Sequence, residues 1–182
     1  GEKQINEYFS EKLIKSPVDI FYLEKKYSNN PPSFWRYTSG SKIKIGTIKD
    51  SAIKLFEAIN KKREIDLDRF LFSLGIRHLG LSSANLIANY YKSIDAMLEN
   101  ISSNNFNQSM EELLSLDGVG EKVAISIIDF FQNNDTRQLI IQLIESGIIV
   151  KNFNKEIKET KISNKTILIT GALKTMSRAE AK

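Results

Sequence analysis

Leu116-Asp117-Gly118-Val119-Gly120-Glu121-Lys122-Val123-Ala124 is the stretch on which the fold turns, because the same frame recurs upstream in Leu79-Gly80-Leu81-Ser82-Ser83-Ala84. In register, Gly80 falls on Gly120, Ala84 on Ala124, Ile87 on Ile127, and Tyr90 and Tyr91 on Phe130 and Phe131. Each copy predicts a tight turn feeding an amphipathic helix. Val119, between two glycines, is expected to point back and anchor the helices that flank the turn. Ala124 is small enough to let those helices close on each other.

The backbone of such a turn has a chemistry of its own. Glycine takes positive φ and lacks a Cβ, so the reversal is sharp and another chain can approach its peptide groups. The first amides of the following helix have no intrahelical acceptor, and the helix dipole adds partial positive charge there. A phosphate fits that place. Candidate DNA contacts are therefore Arg77, Gly80, Ser82 and Ser83 in one hairpin and Gly118, Val119, Gly120 and Lys122 in the other. A β-branched side chain at Gly120 is expected both to block phosphate approach and to strain the turn.

His78 stands where Gly118 does, and histidine is among the residues that tolerate the left-handed region. As the only histidine of a chain without cysteine, it reads as a turn residue and not as a general base. No catalytic or metal-ligating residue is expected. Two weaker copies of the frame lie upstream. Gly46-Thr47-Ile48-Lys49-Asp50-Ser51-Ala52 keeps the first glycine and the alanine but has Ile48 in place of the second glycine, so Gly46 and Lys49 are weaker contact candidates. Gly1-Glu2-Lys3 repeats Gly120-Glu121-Lys122, and Ile5, Tyr8 and Phe9 continue an apolar helical face. Four tandem hairpins are implied, the first cut open.

The remaining pattern is mostly helical. Ser16 and Pro17 start a helix to about residue 26, and residues 28–41, with Pro31, Pro32 and Trp35, form a loop. Helices are expected over 48–62, 66–74, 81–92, 93–100, 108–116, 121–133 and 136–146, the last capped by Asp135 and closed by Gly147. The Ser/Asn-rich stretch 102–107 reads as a flexible connection. Residues 1–150 then form one helical DNA-binding domain, 151–163 a linker, and the β-branched run from Thr166 to Thr170 a strand opening a further domain over 164–182. The chain has neither a signal peptide nor an apolar run of membrane-spanning length, so a cytoplasmic protein with no membrane contact is expected.

Charge is uneven along the chain. Residues 1–63 carry 13 Lys and Arg against 7 Asp and Glu, residues 64–150 carry 5 against 12, and residues 151–182 carry 8 against 3. The two best hairpins thus lie in the acidic third, which argues against a broad basic stripe. Contact is expected to be local, through hairpin amides and a few positioned bases.

Phe70-Leu71-Phe72-Ser73-Leu74-Gly75-Ile76-Arg77-His78-Leu79-Gly80 resembles the "ALGIRHVG" segment of bacterial NAD-dependent DNA ligases, and residues 115–124 resemble their final helix-hairpin-helix. Asn164 to Leu173, followed by Met176-Ser177-Arg178, resembles the opening strand, turn and first helix of the BRCT domain that ends those ligases. The resemblance implies a mainly α fold of tandem helix-hairpin-helix repeats followed by a truncated α/β BRCT-like segment. It also implies non-sequence-specific clamping of nicked double-stranded DNA by a monomeric region that contacts other domains of a parent ligase. That parent would use NAD, Mg and Zn to seal nicks between 5′-phosphate and 3′-hydroxyl ends in replication and repair. Thr170 and Gly171 would fall in a BRCT phosphate pocket, although a glycine after a strand is also ordinary turn chemistry. The other class open to such a sequence is a non-enzymatic helix-hairpin-helix module of a repair nuclease or scaffold. No KxDG nucleophile and no four-cysteine zinc site occur in the chain, so this piece should bind no cofactor and be inactive alone. Incubation with NAD labelled in its adenylyl group should leave no AMP attached to the protein. A covalently labelled chain would contradict that reading.

Overall fold

A computed structural model describes residues 1–39, 45–101 and 106–154, which are mainly helical. The expected strand at 166–170, the BRCT-like segment 164–182 with Thr170 and Gly171, and most of the expected linker lie outside the described residues.

Helix α1, Glu2–Ser10, starts on Gly1, whose carbonyl accepts from the amides of Gln4 and Ile5. Of its expected apolar face only Tyr8 is buried, while Ile5 and Phe9 are 37% and 48% exposed. Lys12, at φ +57°, reverses the chain and turns Leu13 and Ile14 inward. The Ser16-Pro17 start is a 3₁₀ helix, Pro17–Tyr22, continued by α2, Leu23–Tyr27. Asp19 organises this start by accepting from the amides of Lys15 and Ser16 and from the Lys26 ammonium. The Lys15 amide, with help from Lys26 and Ser16, holds the Asp19 carboxyl below its ordinary range despite the opposing effect of burial. Trp35, in the 3₁₀ turn Ser33–Trp35, makes edge contacts with Tyr8, Tyr27, Phe34 and Phe56 at 5.4 to 6.0 Å between centroids. With Leu13, Ile14, Leu23 and Ala52 these rings make a small core of their own.

The copy of the frame at Gly46 is not a helix-hairpin-helix. The amide of Tyr37 bonds the Thr47 carbonyl, that of Gly46 the Tyr37 carbonyl and that of Lys49 the Trp35 carbonyl, so the turn is entered by extended backbone. Helix α3, Asp50–Asn60, is capped by Lys49, one residue later than the frame predicts. The second of the four implied hairpins is thus a β-type reversal.

The larger core is built by β1, Glu64–Asp66; α4, Leu67–Ser73; α5, Leu81–Tyr91; α6, Ile94–Asn100; α7, Phe106–Leu114; α8, Glu121–Gln132; α9, Asn134–Glu145; and β2, Ile149–Lys151. The cap of α9 is Asn133 and not Asp135. Its side chain accepts from the amides of Asp135 and Thr136, and Gly147 at φ +94° ends the segment as expected. Periodicity gave no sign of the two short strands, which pair in parallel with Ile65 opposite Val150. Three residues are too few for an alternating pattern to stand out. Lys151 therefore belongs to the packed unit, as does buried Phe153, whose amide bonds the Lys92 carbonyl. The expected boundary at residue 151 moves later.

Arg63 joins the two cores. Its guanidinium donates to the carbonyls of Phe21 (2.7 Å) and Ser146 (2.5 Å) and to the Asn60 side chain (2.9 Å), and lies 5.5 Å from the Phe21 ring centroid. Its own carbonyl accepts from Ile149 at 2.8 Å, which starts the strand pair. A methyl group on Gly147 would stand 3.2 Å from the guanidinium, at a φ that already disfavours any side chain. Arg63→Met, which keeps the stem but leaves two carbonyls without their charged donor, should lower the unfolding free energy by about 2 kcal/mol. Gly147→Ala should lower it by about 1 kcal/mol or more. Urea unfolding followed by circular dichroism measures both, and unchanged midpoints would contradict this role.

Candidate nucleic-acid interface

The two turns share one backbone path. Between α4 and α5, His78 takes φ +64°, Leu79 is buried with its amide on the Ile76 carbonyl (3.1 Å), and Gly80 at φ −84°, ψ 168° caps α5. Between α7 and α8, Gly118 takes φ +93°, Val119 is buried with its amide on the Leu116 carbonyl (2.9 Å), and Gly120 at φ −86°, ψ 166° caps α8. The helices then repeat side chain by side chain. Ala84 and Ala124 are both fully buried at the closest approach of the helices, as are Ile87 and Ile127 one turn on. Tyr90 and Tyr91 form an edge pair at 4.9 Å, matched by Phe130 and Phe131 at 5.8 Å. His78 thus does the conformational work of a glycine.

Exposure sorts the candidate residues. Gly80, Ser82, Gly118, Gly120, Arg77 and Lys122 face solvent, and Ser83 is half-buried. Val119 is an anchor and not a contact, since its side chain is buried and its amide already has an acceptor. The amides that precede the first intrahelical donors are those of Gly80, Leu81, Ser82 and Ser83 in one hairpin and Gly120, Glu121 and Lys122 in the other. No Cβ built on Gly80 or Gly120 meets any atom within 4 Å, and both have φ that every residue adopts. The strain expected for a side chain at Gly120 is therefore absent. It belongs to Gly118, where φ is positive and a Cβ would stand 3.0 Å from Leu86 Cδ1.

The weaker pair is differently employed. The Lys49 ammonium donates to the Phe34 carbonyl at 2.8 Å and its amide caps the extended turn, while the Gly46 amide bonds Tyr37. Both are thus engaged within the fold, and the start of α3 does not repeat the arrangement found at the starts of α5 and α8.

The two good hairpins differ electrostatically. Glu121 stands in the first turn of α8 with Asp117 just before the capping glycine, and an acid there already complements the helix dipole. The first turn of α5 carries no acid. Arg77 has no ion pair among the described residues and lines a hollow with Ser126, Asp129 and Asn133. The hairpin that departs further from the glycine pattern is thus the better seat for an anion. No group of three or more His, Cys, Asp or Glu among the described residues could hold a metal ion. The chain contains no cysteine. Among the described residues no helix is long and apolar enough to cross a membrane.

Comparison with known proteins agrees with this geometry. The helix-hairpin-helix motif family matches residues 69–140, which take in both turns and the helices around them. The chain is 39% identical over 184 residues to a DNA ligase of Parvibaculum lavamentivorans. It is 38% identical over 185 residues to a DNA ligase of Wolbachia pipientis subsp. Culex pipiens and 34% identical over 185 residues to one of Rickettsia prowazekii. Each match covers the whole of this chain and 25 to 26% of the relative. Carrying two hairpins of the helix-hairpin-helix type, the chain is similar from end to end to a segment of DNA ligases that makes up about one quarter of their length.

Proposed function

We propose that this segment is the DNA-gripping region of a cytoplasmic NAD-dependent DNA ligase that seals nicks between 5′-phosphate and 3′-hydroxyl ends in replication and repair. Two hairpins in register, each presenting unbonded first-turn amides beside an exposed glycine, are the observation that carries this reading. Amides address phosphates and not base edges, so the grip is indifferent to sequence. Ser82, Ser83, Arg77 and Lys122 add hydroxyl and charged donors around the same helix starts. The adenylation chemistry, and the NAD and Mg it needs, belong to other parts of the parent, and the BRCT likeness of residues 164–182 is part of the same proposal. Within the parent the segment helps encircle nicked duplex and docks on neighbouring domains as a monomer.

Binding of the chain to duplex DNA should be weak, insensitive to sequence and lowered by salt. Lys122→Ala should weaken it about equally on all sequences and flatten the dependence of log affinity on log salt by about one unit. Fluorescence anisotropy against several unrelated duplexes measures this, and a strong preference for one sequence over scrambled competitors would contradict it.

Gly118 and Gly120 should separate folding from binding. Gly120→Val should keep the melting midpoint and lose affinity, because its side chain meets only an approaching ligand. Gly118→Val should lose stability by about 2 kcal/mol, from positive φ and the contact with Leu86. A Gly120→Val protein that is folded and binds like the parent chain would make this turn a structural corner.

A further inference from the structure

We propose that the open cleft between the starts of α4 and α5 takes the sugar–phosphate backbone adjoining the phosphate on the Gly80 hairpin, with Arg69 as the phosphate ligand. The assignment rests on the DNA-gripping reading above and extends it to a side chain outside both turns. The cleft has a volume of about 450 Å³ and is lined by Asp68, Arg69, Leu81, Ser82, Asn85 and Leu86. Ser82 and Leu81 belong to the acid-free first turn of α5, so Arg69 stands beside the better of the two anion seats.

The cleft holds one acid, and its carboxylate is occupied. Asp68 accepts from the Asn85 amide at 3.0 Å through one oxygen and from the backbone amide of Arg69 at 2.9 Å through the other. The exposed Arg69 guanidinium makes no ion pair among the described residues. Its planar fork suits a phosphate in two-point contact. Leu81 and Leu86, 38% and 36% exposed, flank it with apolar surface of the kind a deoxyribose covers.

Hairpin architecture alone does not demand this set. In the register that places Gly80 on Gly120, Arg69 falls on Ser109, which is buried and donates its hydroxyl to the Asn100 carbonyl at 3.4 Å. Asn85 is matched in the other hairpin by Ile125. The Asp68–Asn85–Arg69 group therefore occurs in one of two otherwise parallel hairpins.

Anisotropy titrations of the whole chain on labelled duplex, over a series of salt concentrations, test the assignment. Arg69→Gln should weaken binding roughly three- to tenfold and flatten the salt dependence by about one unit. Arg69→Lys should keep the salt slope and lose part of the affinity. Asp68→Asn, which retains an acceptor for Asn85, should tighten binding. Circular dichroism melts check folding, and if Arg69→Gln melts early, Asp68→Asn decides the matter alone. Unchanged affinity and slope in Arg69→Gln, while Lys122→Ala weakens binding, would overturn the cleft and leave the hairpin reading standing. A parent chain that binds no duplex would overturn both. Displacement of duplex from the parent by dilute inorganic phosphate, but not from Arg69→Gln, would assign the cleft to a free anion and also overturn the proposal.

Discussion

A left-handed residue followed by a buried aliphatic one is the constraint on which both hairpins depend. Positive φ at His78 and Gly118 reverses the chain within one residue, and the reversal delivers Leu79 and Val119 into the core with their amides already bonded. Only then does the capping glycine emerge at the surface with extended backbone and the next helix begin. Had the aliphatic side chain pointed outward, burial of a Val- or Leu-sized group worth about 1.5–3 kcal/mol would have been forgone. The exposed amides of the helix start are thus fixed in place by an apolar contact on the opposite side of the turn.

That division of labour separates residues that hold the turn from residues that face solvent. Gly118 and Gly120 look alike in sequence, yet the first is required by backbone conformation and the second only by the space it leaves outside. Val119 lies between them and touches neither solvent nor ligand. Ala84 and Ala124 complete the arrangement, since full burial at the closest approach of two helices leaves no room for a larger side chain.

Arg63 performs the second fixing. Its guanidinium satisfies carbonyls from the Pro17–Tyr22 turn and from the end of α9, and its carbonyl begins the strand pair, which adds a charged junction beside the apolar one where Val18 packs in the hairpin core and Leu23 in the aromatic core. A charged group half-withdrawn from water is stabilising only while its partners are all present.

Much of the site was legible as a repeat of short-range signals. Glycine spacing, the Ala84 and Ala124 pair and the following apolar periodicity act within a few residues, so helix starts, the left-handed His78 and the anchoring Val119 follow from local backbone physics. What the sequence by itself determined was therefore the two turns and the helices that leave them. Long-range contacts decided the rest. Lys49 is diverted by the Phe34 carbonyl and Gly46 by its bond to the Tyr37 carbonyl. The parallel strands, the Arg63 junction and the grouping of Arg69 with Ser82 and Asn85 join residues far apart in the chain. Tertiary structure alone could decide these, because donors and acceptors distant in sequence choose one another only after the apolar cores have brought them within a hydrogen-bond length.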